Sequence, residues 1–362
     1  MPSAKQWWKR AAAAVKDKRS IYLAMLPLPR RAGHRSPDME AAVIRATSHD
    51  ERSVDYKNAA RVFQWARTSP SFVPPLMWAL ARRATRTRSW PVALKSLLLV
   101  HGLLLLDPSR CGRLPFDVSE FRDRSSDSWG FSAFVRAYFQ FLDHRTVLLS
   151  GGGECGLERI ERLQALLDLL MQIRPYAGGM EAGLILEAMD CVLIEVFDVY
   201  SSICSGIAAY LVGVLGSDPS SQSKKGGEEE EEWKKKGPKG IGVLRKAADQ
   251  SKKLSDYFEM CRELGVLNAM ELPPVEGIPE EDIMDLERML DGGVAVSTQN
   301  LEEEEEKCPV VVVDGSDTVV TKEWVVFEDE FAEAKRGKPL LLLEHLPAVG
   351  GVEQWSGNLI EL

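Results

Sequence analysis

Four side chains able to carry positive charge, Arg45, His49, Arg52 and Lys57, fall within one polar stretch, Arg45-Ala46-Thr47-Ser48-His49-Asp50 and then Asp55-Tyr56-Lys57-Asn58. Such a cluster suits a polyanion like a phosphorylated inositol ring, whose several negative charges need more than one counter-charge and free backbone donors. A helix start supplies unpaired N–H groups and the positive end of the helix dipole. Ser53 is the expected N-cap of a helix through Ala59, Ala60, Val62 and Phe63. Lys57 then lies in the first turns, where a cation opposes the dipole and gains from an anionic partner. Arg61, with Lys16, Lys18 and Arg19 earlier in the chain, would enlarge the basic surface. The competing reading is an ordinary solvated helix start, because spacing alone is only a hypothesis.

No other group of residues has a spacing that does chemistry. Six cysteines (Cys111, Cys155, Cys191, Cys204, Cys261, Cys308) form no Cys-x-x-Cys pair and read as reduced thiols, mostly in the core. The five histidines are far apart, which argues against zinc. His101, in an apolar run, reads as a satisfied core histidine. No spacing groups a nucleophile with a base. Ser150-Gly151-Gly152-Gly153 lacks the Gly-Lys-Ser/Thr ending of a phosphate loop and reads as a connector. No catalytic residue, metal or cofactor is therefore expected.

Helical periodicity must position the basic stretch. Gln140 to Val147, Ile160 to Ile173 and Glu181 to Val212 carry apolar residues at three- and four-residue steps, and no alternating strand pattern appears before residue 265. Breaks are expected at Pro70, Pro74-Pro75, 108–127, 150–153 and Arg174-Pro175. Eight to ten antiparallel helices imply an all-α fold, a right-handed superhelix of stacked helices. Its domain is expected over residues 1–270, interrupted by a low-complexity loop at 213–240. Residues 271–362 read as a largely disordered acidic tail, with a short helix near Glu280 to Leu290.

At 362 residues and 45% apolar content, the chain can bury a substantial core. The run Leu97 to Leu106 is too short to span a bilayer, which takes about 20 apolar residues. The N-terminus has no apolar signal core. Trp7 to Met25 admits three readings: a packed first helix, a helix in the bilayer interface, or an organellar transit peptide. Residues 1–100 carry 19 Lys/Arg against 6 Asp/Glu, whereas 271–362 carry 6 against 23. A basic head and an acidic tail fit an anionic surface at the front. No aromatic-interleaved basic patch or nucleic-acid motif is present, so the expected surface is a membrane and not nucleic acid.

The basic stretch resembles the head-group signature of the ANTH domain, the membrane-binding module of clathrin assembly proteins. In that family a basic residue opens a K-A-T-x-H-like run and a second basic cluster follows ten to thirteen positions on. Arg45 fills the first place and Lys57 the second, while Asp55 stands where the family usually has lysine and Asn58 where it has histidine or an aromatic. Ser89-Trp90-Pro91-Val92-Ala93-Leu94-Lys95-Ser96-Leu97-Leu98 followed by His101 resembles another family helix, and Phe134, Arg136, Tyr138, Phe141 and Leu142 mark a third. Similarity continues through Leu163 to Tyr210 and Leu244 to Gly265. The resemblance implies a non-enzymatic adaptor, peripheral on clathrin-coated pits and vesicles at the plasma membrane or Golgi. It would bind phosphatidylinositol 4,5-bisphosphate through Arg45, His49, Arg52 and Lys57, and vesicle SNARE helices through grooves of the superhelix. The alternative is a helical scaffold of the same fold that binds protein partners and has lost lipid binding, which Asp55 and Asn58 favour.

Two tail segments fit partners of such an adaptor. Trp324-Val325-Val326-Phe327-Glu328-Asp329 resembles the W-V-x-F-acidic motif that binds the appendage of the clathrin adaptor complex. Trp324 and Phe327 would fill apolar pockets, with Glu328 steering the peptide toward a basic surface. A short strand or a chance match competes with that reading. Leu340-Leu341-Leu342-Leu343-Glu344 fits the clathrin-box pattern through Leu340, Leu341, Leu343 and Glu344, expected to meet the clathrin heavy chain or to dock back on the domain. Leu103 to Asp107 also fits the pattern and Leu166 to Leu170 nearly does, but both are expected in core helices.

Overall fold

A computed structural model describes residues 4–25, 36–106, 114–124, 129–149, 156–215, 228–272, 274–275 and 277–291. Ten α-helices occur among them: α1 (Ala4–Met25), α2 (Pro37–Ala46), α3 (Tyr56–Thr68), α4 (Val73–Arg86), α5 (Trp90–Leu106), α6 (Trp129–Leu149), α7 (Leu157–Leu170), α8 (Gly183–Leu215), α9 (Glu228–Glu263) and α10 (Glu280–Asp291). No strand occurs among the described residues. Packing largely follows chain order: α1 on α2, α2 on α3 and α4, α4 on α5, α5 on α6, and α6 on α7. α7 then packs on α8 and α9, and α9 on α10. The result, among the described residues, is a stack of successive helices.

α5 forms the spine. It is apolar around its whole circumference, and Trp90 through Leu104 are all buried. A helix without a polar face has to be covered on every side, and α3, α4, α6 and α8 supply the cover. His101 fits inside because its ring is fully engaged: Nδ1 lies 2.8 Å from the Tyr138 hydroxyl and Nε2 3.5 Å from a Glu195 carboxylate oxygen. Arg145 donates from Nε to the other Glu195 oxygen at 2.6 Å. Burial pushes the Glu195 carboxyl up, but the His101 hydrogen bond and the Arg145 charge outweigh it and bring it down to about 2.

α8 is long and apolar enough to cross a membrane by length and composition, a property the sequence reading considered only for the shorter run at 97–106. Leu184, Ile185, Met189, Val192, Leu193, Val196 and Ile203 bury one face in the core, while Val212 near the far end is 72% exposed. Leu103, Leu104, Leu166, Leu167 and Leu170 are buried, so the two helical clathrin-box look-alikes are core segments, as expected.

Three boundaries differ from expectation. Pro74 and Pro75 do not break the chain but open α4, because the first turn needs no N–H from proline. The expected loop at 213–240 is narrower: α8 runs to Leu215 and α9 begins at Glu228. Residues 216–227 lie outside the described residues. Third, α10 is anchored on α9 through buried Ile283 and an Arg245–Glu287 ion pair at 2.6 Å, which carries the helical stack past 270 to Asp291.

Candidate functional site

The basic stretch lies where α2 ends and α3 begins, and four further helices, α1, α4, α5 and α8, reach the connecting loop. Thr47 caps α2, its hydroxyl donating to the Val43 carbonyl at 2.6 Å. Arg83, in the last turn of α4, donates to the Thr47 carbonyl at 3.0 Å and to Asp17 of α1 at 2.9 Å. Asp17 also accepts from the His49 backbone N–H at 3.0 Å and contacts His49 Nδ1 at 2.7 Å. Burial raises the Asp17 carboxyl, but the His49 and Arg83 contacts prevail and hold it below the usual carboxylate range. α1 thus packs on α2, and its Asp17 pins the loop.

Further along the loop, Lys95 rises from α5 and donates to the Ser48 hydroxyl at 3.2 Å. Its side chain is completely buried, and burial pulls the amine down to about 8, with Asp50 and Glu187 charges drawing it partly back. Glu187 of α8 accepts from the Val54 N–H at 3.1 Å and binds the Tyr56 hydroxyl. At the start of α8, Gly183 sits so close that a Cβ there would come 2.6 Å from the Arg52 carbonyl oxygen.

The N-cap of α3 is Asp55 and not Ser53. Asp55 Oδ1 accepts from the Asn58 N–H at 3.2 Å, and Oδ2 accepts from the Asn58 side-chain amide at 2.7 Å. The two positions that depart from the family pattern therefore satisfy each other. The Asp55 carboxylate caps the helix, in keeping with the preference for an acid at a helix start.

Of the four predicted cations, three lie along the loop edge. Arg45 is half-exposed in the last turn of α2, Lys57 is exposed in the first turn of α3, and neither forms an ion pair among the described residues. Arg52 is exposed and reaches Asp50 at 3.3 Å. His49 is different: its ring is tied to Asp17 and belongs to the support. Arg61, expected to thicken the patch, lies over the Trp65 ring at 5.5 Å. Among the described residues no three His, Cys, Asp or Glu could hold a metal ion. The tail positions Trp324, Phe327, Glu328, Leu340, Leu341, Leu343 and Glu344 lie outside the described residues.

Sequence reasoning missed the supports Asp17, Arg83, Lys95 and Glu187. Two signals were available. Asp17 is the one acidic residue among the first 37, and Lys95 is a lone charge in a long apolar run.

An all-α stack with a basic loop between its second and third helices defines a class, and the ANTH domain model matches residues 38–154, 152–225 and 230–292. The chain belongs to the ANTH domain family. Among its relatives, "Putative clathrin assembly protein At1g25240" of Arabidopsis thaliana is 42% identical over 345 residues, covering 90% of this chain and 88% of that protein. "Putative clathrin assembly protein At1g68110" from the same plant is 40% identical over 353 residues, with 90% and 88% covered. A third, "Putative clathrin assembly protein At1g14686", is 36% identical over 300 residues, covering 78% and 81%.

Proposed function

We propose that this protein is a non-enzymatic clathrin adaptor whose helical head binds phosphoinositide-bearing membrane at the loop between α2 and α3. The observation that carries the reading is the division of labour in that loop. Its inner contacts, from Asp17, Arg83, Lys95 and Glu187, hold the backbone. Its outer cations, Arg45, Arg52 and Lys57, are left toward solvent. A backbone already held in place does not have to be ordered when these side chains meet an anion, which favours binding. Asp55 lowers the net charge of the site, so a weaker and less phosphate-selective contact than a fully basic loop would give is expected.

The tail completes the reading as an expectation from sequence. Trp324, Phe327 and Glu328 engage the adaptor appendage, and Leu340, Leu341, Leu343 and Glu344 the clathrin heavy chain. SNARE binding through the superhelix and residence on coated pits and vesicles at plasma membrane or Golgi belong to the same proposal. The mutual pairing of Asp55 and Asn58 favours a second reading, a protein-binding scaffold of this fold that has lost lipid binding. Co-sedimentation of the full chain separates the two: enrichment on vesicles with phosphatidylinositol 4,5-bisphosphate over neutral vesicles supports the adaptor, and equal binding to both supports the scaffold. For the tail, Trp324→Ala with Phe327→Ala should lose adaptor and keep clathrin in pull-downs. Leu341→Ala with Leu343→Ala should do the reverse. Retention of both partners by both variants would sink the motif reading.

A further inference from the structure

A second basic surface lies beside the loop, built from two segments far apart in sequence. α4 ends at Arg86, and Thr87 is already extended, with φ −81° and ψ 151°. The 121–124 segment runs alongside it, the Arg124 N–H donating to the Arg88 carbonyl at 3.1 Å. Burial alternates on both sides. Arg86 and Arg88 are exposed with Thr87 partly buried between them, and Arg122 and Arg124 are exposed with Asp123 partly buried between them. The exposure of Arg122 and Arg124 on either side of a partly buried Asp123 places the two guanidinium groups toward solvent while Asp123 turns in.

The inward side explains why the segment is fixed. Asp123 accepts from the Trp90 N–H at 2.7 Å, capping α5 from a distance, and its own N–H donates to Ser132 at 2.9 Å. Arg136 donates to the Phe121 carbonyl at 2.9 Å, and Val118 and Phe121 are buried. The backbone is thus anchored at several points, yet it presents four like charges outward. Like charges on paired segments repel, and among the described residues none of the four forms an ion pair. Asp123 is occupied by the helix cap, and the exposed Asp117 and Glu120 of the same segment form no ion pair with any of the four among the described residues. An external anion removes the repulsion.

The position says which anion. The same end of the stack carries the basic loop: Arg83, one turn before Arg86, binds Thr47, and Lys95, in the second turn after Trp90, binds Ser48. We propose that Arg86, Arg88, Arg122 and Arg124 form a second contact with an anionic bilayer, separate from the phosphoinositide loop. The inference rests on the reading that this end of the head faces a membrane. A patch of exposed arginines recognises net surface charge, such as phosphatidylserine, and not a particular head group. It supplies the avidity that a loop weakened by Asp55 lacks, since two modest contacts on one surface multiply.

The test uses the full chain with two vesicle types, phosphatidylcholine with phosphatidylserine, and the same with phosphatidylinositol 4,5-bisphosphate added. Replacing all four arginines by Gln should lower binding to phosphatidylserine vesicles at least tenfold, with wild-type melting behaviour. The Arg→Lys quartet should bind as wild type, and its loss would overturn the charge argument. Should the Gln quartet fail to fold, Arg88→Glu and Arg122→Glu taken singly should each lower binding threefold or more. Unchanged binding of the Gln quartet overturns the proposal and leaves the loop site standing. A quartet that loses heparin or RNA but keeps vesicles also overturns it, assigning the patch to a soluble polyanion. Wild-type protein that binds neither vesicle overturns the membrane reading itself.

Discussion

The cluster of His101, Tyr138, Glu195 and Arg145 and the loop from Thr47 to Asp55 both gather charged groups around a carboxylate, but they lie at opposite extremes of solvation. In the core cluster every member faces another, and Glu195 is brought down to about 2 against the pull of burial. In the loop, the inner members are paired through Asp17 and Glu187, while at the outer edge Arg52 meets only the exposed Asp50 and Arg45 and Lys57 form no ion pair among the described residues. A closed network can only hold the fold together. An open one has charge to spend on a partner. The comparison teaches that the useful distinction among charged residues here is which side of the network they occupy, not how strongly basic the segment is.

The comparison can be broken most forcefully in the core. Arg145→Ala leaves Glu195 buried without its ion-pair partner, and removing one partner of a buried pair costs about 3–5 kcal/mol. Chemical denaturation should register that loss, while vesicle binding per folded molecule stays at the wild-type level. Acid probes the same pair. The Glu195 carboxyl lies at about 2 in the folded chain against an ordinary 4.5, so the unfolded chain binds more protons between those values. Its contribution is present above pH 4.5 and disappears as pH falls toward 2, a loss of roughly 3 kcal/mol by linkage. In Arg145→Ala the loss over that window should shrink.

At the loop, Gly183→Ala drives a Cβ against the Arg52 carbonyl. Backbone cannot yield as a flexible side chain does, so about 1–3 kcal/mol of stability should be lost, and binding should fall because the frame moves. A variant that binds normally would show that the frame is irrelevant to the outer cations. The gentlest change is Asp55→Ser. Serine keeps a cap on α3 but leaves the buried Asn58 amide without its Asp55 acceptor, so about 1–2 kcal/mol should be lost, while removal of the negative charge should tighten vesicle binding about fivefold.

Much of the architecture was legible because helical periodicity is a local signal. α7 and α8 appear close to where apolar spacing puts them, α6 starts eleven residues before the spacing shows it, and His101 is the satisfied core residue its neighbours suggested. The early start of α9 was hidden because charge runs read as unstructured. At the site, Arg45, Arg52 and Lys57 were legible as cations on one short segment. The separation of His49 from them was not, since it depends on Asp17 reaching across from α1. Likewise Asp55 as N-cap depends on where the loop closes, which Glu187 and Gly183 of distant α8 decide. Contacts across such separations leave no period in the sequence.

The most direct test of the central claim, that the loop's outer cations bind membrane while its inner contacts hold the fold, is one paired measurement on Arg45→Glu with Lys57→Glu. Vesicle co-sedimentation with phosphatidylinositol 4,5-bisphosphate and thermal unfolding are recorded on the same full-length sample. Reversing two exposed cations, each worth about 1 kcal/mol near such a surface, should cut binding tenfold or more and leave the melting temperature unchanged. Wild-type binding by the variant, or a loss of binding that merely follows a loss of stability, would contradict the account.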